Sequence, residues 1–140
     1  MHILLSNDDG YQAPGLKALF DSTNEHGEIT IVAPNENRSG ASGSLTLSKV
    51  LTVKASGERC FAVDGTPVDC VHIGLNGLLD NEPDMVISGI NSGSNLGDDV
   101  LYSGTVGAAL EGRRLTYPGV AVSLAGSEPK HYRTAGQVVS

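Results

Sequence analysis

Apolar residues along this chain fall into short blocks separated by polar, glycine-rich stretches. His2 to Ser6 ("HILLS") is an apolar run of the length expected of a buried parallel strand. Pro14 can open a helix at its first position. Leu16, Leu19, Phe20 and Thr23 then recur at helical spacing, and Gly27 can close the element. Glu28 to Ala33 ("EITIVA") predicts a second strand. Pro34 to Ser44 reads as a loop. "LTLSKVLTVKA" and "ERCFAV" alternate as β segments do and predict a hairpin or an edge extension. Thr66, Pro67 and Asp69 supply an N-cap, a first-turn proline and the acid of a capping box. The apolar stripe of the helix they open runs from Val68 through Val71, Leu75, Leu78 and Leu79. "MVISG" predicts a third buried strand, Ile90 to Gly104 a long polar loop, Thr105 to Leu115 a helix of small residues, and Gly119 to Leu124 a fourth strand. "HYRTAGQVVS" reads as the opening of another helix, and the chain is expected to be incomplete at this end.

Alternating strands and helices predict an α/β fold, a mostly parallel sheet covered on both faces, formed as a single domain over residues 1–140. In such a sheet the strands end on one edge, where ligands bind. Four polar segments are therefore expected to meet there: "NDDG" after the first strand, "NRSGAS" after the second, "GINSGSN" after the third and "YSGT" at a helix N-terminus.

Asp8 and Asp9 are adjacent like charges, which repel unless a cation lies between them. For both to reach one ligand the chain must turn, and Gly10 permits the turn; the stretch can equally be a surface turn with Asp9 or Asn7 capping a helix. Ser39 and Asn91 offer neutral oxygens from two other loops. An all-oxygen set suits Mg²⁺, Mn²⁺ or Ca²⁺ rather than zinc. Ser103, Gly104 and Thr105 present backbone N–H groups and two hydroxyls at a helix start. That suits an anion, although a plain Ser/Thr N-cap is the commoner use of such residues. Arg38 lies near enough in sequence to be a lesser substrate-binding candidate. Asp98 and Asp99 read as loop or interface residues, and Arg113 and Arg114 as a solvated helix end.

Composition narrows the partners. The net charge of −7 argues against a general nucleic-acid surface but not against a small anion beside a bound cation. Charged residues make up 18% and hydrophobic residues 39%, ordinary for a globular chain. Cys60 and Cys70 form neither a CxxC pair nor a disulfide framework and are expected to be structural thiols of a reducing compartment. No signal peptide and no stretch of membrane-spanning length is evident, so a soluble, cytoplasmic protein is expected. The spacing fits neither GxGxxG nor a Walker loop, and "GASGS" is not GxSxG.

Taken together, "ILLSNDDGYQAPG", "IVAPNENRSGASGSLTL", "GTPVDCV", "DMVISGINSGSNLGDDVLYSGTVGAALEGR" and "PGVAVSL" resemble the SurE (survival protein E) family of nucleotidases, in family order and over nearly the whole chain. The resemblance implies a Rossmann-like core, a homodimer or homotetramer, and metal-dependent removal of phosphate from nucleoside 5′-monophosphates. It also implies breadth towards 3′-nucleotides and short polyphosphate. Motif matching makes Asp8, Asp9, Ser39 and Asn91 the ligands of one Mg²⁺ or Mn²⁺, and places Asn95 with Ser103, Gly104 and Thr105 beside the phosphate. The expected chemistry is attack by water with Asp8 or Asp9 as base, or a covalent aspartyl-phosphate at Asp8. The rival readings are a receiver-like signalling domain, against which "SGIN" stands where a phosphoacceptor acid would, and a nucleotide-binding module without turnover.

Overall fold

The computed structural model describes residues 1–126 and 130–140. Five strands run parallel and one antiparallel in a sheet ordered β3-β4-β2-β1-β5-β6. These are β1 (His2–Ser6), β2 (Glu28–Pro34), β3 (Val53–Gly57), β4 (Cys60–Val63), β5 (Met85–Ser92) and β6 (Val120–Leu124). Without the antiparallel hairpin strand β3, the spatial order is the third, second, first, fourth and fifth parallel strands in sequence. This is the Rossmann-like arrangement, whose connections reverse direction between β1 and β5.

Strand alternation builds the two outer layers. Ile3, Leu5, Ile29 and Ile87 face one way, against Leu16 and Leu19 of α1 (Pro14–Thr23) and Tyr132 and Ala135 of α4 (Tyr132–Val139). Leu4, Val32 and Val86 face the other way, against Cys70 and Val71 of α2 (Pro67–Ile73) and Ala108 of α3 (Gly104–Glu111). Leu4, Leu5, Val32 and Val86 are wholly buried, as strands covered on both faces require.

The sequence-based elements recur with shifts. The first helix closes at Asn24 rather than Gly27, and α3 stops at Glu111, short of Leu115, where Gly112 caps it. The Thr66 cap forms as a reciprocal box with Asp69, but regular helix stops at Ile73. A wider π-type turn over Gly74–Leu78 carries the rest of the stripe. The segment expected to alternate from Leu45 is strand only from Val53. Before that its polar groups are taken by side chains: Asp69 accepts from the Thr46 N–H at 2.8 Å and from its hydroxyl at 2.6 Å. The third apolar strand runs on through Gly89 to Ser92, so the expected loop begins later and contains a 3₁₀ segment over Gly97–Tyr102. Gly89 allows this continuation: its φ is +142°, and a Cβ there would lie 2.4 Å from the Val122 carbonyl oxygen on β6. The pairing of β5 with β6 shifts register between Ser88 and Asn91.

Candidate active site

The turn after β1 closes on its own amide. Asn7, fully buried, donates from Nδ2 to the Gly10 carbonyl at 2.9 Å and accepts the Gly10 N–H at 3.2 Å. Gly10 has a φ of +104°, and a Cβ there would sit 3.2 Å from the Glu36 carbonyl carbon; glycine thus lets the loops after β1 and β2 touch.

The turn sends the two acids to different partners. Asp8 is 7% exposed and lies towards α3, where Thr105, fully buried, donates its hydroxyl to Oδ1 at 2.9 Å. Asp9 accepts the Ser92 N–H on Oδ2 at 3.1 Å, and the Asn37 amide approaches its Oδ1 at 3.5 Å. The loops after β1, β2 and β5 and the start of α3 therefore do meet, at the crevice where the connections reverse. Burial raises the pKa of Asp8; the Thr105 hydrogen bond opposes that rise and the Asp9 charge adds to it. Beneath the acids, Ser6 and Ser88 are paired in register on β1 and β5, and neither buried hydroxyl has a partner.

The remaining sequence-predicted residues are placed as follows. Ser39 is exposed on the loop after β2, its N–H held by Asn37 Oδ1 at 2.8 Å. Asn91 commits its amide nitrogen to the Gly93 carbonyl at 3.0 Å, which leaves its side-chain oxygen to accept a hydrogen bond or to ligate a cation. Asn95 points its amide to Ser123 Oγ at 2.8 Å, at the end of β6. Ser103 caps α3 by accepting the Val106 N–H at 3.1 Å, and the Gly107 N–H closes on the Ser103 carbonyl. Both hydroxyls of the "SGT" segment are thus committed within the protein. The Gly104 and Thr105 N–H groups are the ones the helix start offers an anion.

Gly104 bears on what the acids can hold. A Cβ there would come within 3.3 Å of Asp8 Cβ and 3.6 Å of Asp8 Oδ2, so the bare glycine preserves room beside the carboxylate. Two carboxylates with a serine and an asparagine oxygen form a hard donor set, suited to Mg²⁺ or Mn²⁺. Among the described residues no group of three or more His, Cys, Asp or Glu competes with it as a metal cluster.

Sequence reasoning named Asn7 only as a turn or helix-capping residue and missed Asn37 and Asp64. Asn37 has a local signal, an Asn that accepts an N–H two residues on; Asp64 meets Arg38 across 26 residues. Asp64 accepts Arg38 Nη2 at 2.8 Å, and Glu36 takes the same nitrogen at 3.0 Å. The Arg38 guanidinium is therefore occupied by carboxylates. Asp98 and Asp99 lie exposed in the 3₁₀ segment, and Arg113 and Arg114 are exposed beyond α3.

The sheet order defines a Rossmann-like domain, with an acid pair at the crevice where its connections reverse. The sequence matches the family model "Survival protein SurE" over residues 3–140. The chain belongs to that family. Its relatives include proteins named 5′-nucleotidase SurE from Methylococcus capsulatus (61% identical, covering 99% of this chain and 55% of that protein) and Alkalilimnicola ehrlichii (59%, covering 99% and 54%). The crystal structure of the SurE protein from Aquifex aeolicus superposes with a TM-score of 0.93 at 43% identity, covering 99% of this chain and 57% of that one. The chain thus spans about half the length of the curated relatives it matches.

Proposed function

We propose that this chain forms the metal- and phosphate-binding part of a nucleotidase that hydrolyses nucleoside 5′-monophosphates, with 3′-nucleotides and short polyphosphate as further substrates. The carrying observation is the meeting of Asp8 and Asp9 with the "NRSG" and "GIN" loops and the α3 N-terminus. The names of the relatives add the reaction class.

Asp8, Asp9, Ser39 and Asn91 would hold one Mg²⁺ or Mn²⁺, with Ca²⁺ a third ion of the same hard class. Such an ion supplies charge neutralisation for a phosphate dianion and makes water easier to deprotonate. The protein's own part is positional and acid–base. Thr105 fixes Asp8, and the Ser92 N–H fixes Asp9. One of these carboxylates takes the proton from the attacking water. The Gly104 and Thr105 N–H groups face the charge that builds on phosphate oxygens. Asn95, tied to Ser123, borders this region on the β6 side. Covalent attack by Asp8 is the competing route; the Thr105 hydrogen bond on Oδ1 weakens that oxygen as base and as nucleophile alike.

A homodimer or homotetramer is supported by exposed apolar side chains around the 3₁₀ segment, among them Leu96, Leu101 and Tyr102. Free Cys60 and Cys70 suit the reducing cytoplasm. Among the described residues no helix is long and apolar enough to cross a membrane.

The test is phosphate release from a panel of nucleoside 5′-monophosphates with Mn²⁺ or Mg²⁺, repeated with EDTA. Release that EDTA abolishes is expected. Absence of release from every nucleoside monophosphate, with hydrolysis of an unrelated phosphate ester, rejects the substrate class.

A further inference from the structure

We infer that Asp64, a carboxylate outside the acid pair, is a positioning residue that sets where Ser39 stands relative to Asp8 and Asp9. It acts by clamping both ends of the segment from Arg38 to Lys49. The inference rests on the cation reading of the site given above.

Asp64 directly follows β4, and its own N–H is fixed on the Thr52 carbonyl at 3.0 Å. From that anchored position Oδ1 accepts Arg38 Nη2 at 2.8 Å and Oδ2 accepts Lys49 Nζ at 3.2 Å. One carboxylate thus ties down residues at either end of an irregular segment. Glu36 adds a second acceptor for the same Arg38 nitrogen at 3.0 Å. The Arg38 main chain is held from the opposite side, because its N–H donates to the Asp8 carbonyl at 2.7 Å. Ser39 is the next residue, and its N–H goes to Asn37 Oδ1 at 2.8 Å. The proposed ligand therefore directly follows a residue held at both its main chain and its side chain.

The Arg38 Nε is buried without a partner. An unpaired buried donor is costly; the two carboxylates on Nη2 offset that cost. The clamp is also partly exposed, with side-chain exposures of 29% for Arg38 and 41% for Asp64. Ion pairs so exposed add little to global stability. Their value here is local: a loop that must be ordered when a cation binds lowers apparent affinity by the fraction of time it is competent. Groups that orient metal ligands typically change metal affinity by about 10–100-fold when removed.

The experiment is calorimetric titration of Mn²⁺ into the 140-residue chain, with thermal melting alongside. The variants are Asp64→Asn, Asp64→Glu, Arg38→Gln and the double variant Arg38→Gln/Asp64→Asn. Asp21→Asn, which breaks the remote 2.7 Å Lys17–Asp21 pair, is the control. Asp64→Asn should weaken Mn²⁺ binding by roughly 10-fold while melting with the control. Asp64→Glu should recover part of the loss. The double variant should lose less than the sum of the two single losses, since the Arg38–Asp64 contact is removed in each of them. Wild-type affinity in Asp64→Asn overturns the inference, as does full additivity in the double variant or a loss of affinity that tracks a lower melting temperature. Failure of the unsubstituted chain to bind Mn²⁺ overturns the cation reading itself, and this inference with it.

Discussion

Asp69 joins helix α2 to the segment over the site rim, and removing its carboxylate should unfasten both. The side chain is 2% exposed. It accepts from the Thr46 N–H and hydroxyl at 2.8 and 2.6 Å and from the Thr66 N–H at 2.8 Å; its own N–H goes to the Thr66 hydroxyl at 3.1 Å. Asp69→Ala removes the acid half of the capping box, which is the acceptor of the Thr66 N–H. In all, two backbone N–H groups lose their acceptor, at about 1–3 kcal/mol each when buried. Thr46 and Thr66 are half-buried, so water recovers part of that and the lower figure applies. The total is about 2 kcal/mol, a large share of the roughly 5–15 kcal/mol that holds a domain folded. Asp69→Asn keeps one acceptor oxygen and should lose about half as much by the same reckoning. Urea unfolding of the three proteins measures this. The pH dependence is a second check. Burial alone would raise the Asp69 pKa, but the hydrogen bonds from Thr46 and Thr66 outweigh it and hold the carboxyl below its ordinary value. A depressed folded-state pKa gives stability that is complete above the unfolded value, about 3.9, and fades as pH falls through the folded one. The gap between wild type and Asp69→Ala should therefore be full at neutral pH and narrow below about pH 4. A loss under about 1 kcal/mol at neutral pH, or a gap that widens in acid, would refute this account.

Two further substitutions probe the acid pair. Asp8→Asn should abolish Mn²⁺ binding yet raise the melting temperature in EDTA, because it removes a charge that burial and Asp9 both disfavour; a lower melting temperature contradicts that assignment of causes. Gly10→Ala should cost about 1–3 kcal/mol for a side chain held at φ +104°, and should also weaken Mn²⁺ binding as the loops after β1 and β2 part. Urea unfolding and Mn²⁺ titration check it, and unaltered values for both would show the contact with Glu36 to be dispensable.

What the sequence discloses depends on how local the signal is. β1 is an unbroken apolar run, and the Thr66-Pro67-Asp69 cap is spelled out within four residues, so both are read correctly without coordinates. The convergence of Asp8 and Asp9 with three distant loops is legible because parallel strands must end on one edge. The stripe through Leu75, Leu78 and Leu79 keeps helical spacing while the backbone widens at Gly74, since periodicity does not distinguish α from π turns. Leu45 to Thr52 alternates like a strand, yet its bonds go to Asp69 and Asp64, acids that follow it in sequence and belong to other elements. Asp64 itself has no local signature at all. Its place in the site exists only once β2 and β4 lie side by side, which brings Arg38 within reach across 26 residues.

The link from Thr105 to Asp8 spans 97 positions, and that from Ser92 to Asp9 spans 83. Closing loops of that size costs entropy before any contact repays it, and parallel pairings of this kind form slowly. The acid pair can therefore gain these partners only after β5 has docked on β1 and α3 has packed against it. A refolding chain should complete this crevice among the last events, well after helix signal has returned. In the unfolded chain the two acids are neighbours, but Ser92 and Thr105 lie far from them. A cation that recognises only their assembled form would favour the native state by mass action, and its capture would report completed folding rather than prompt it.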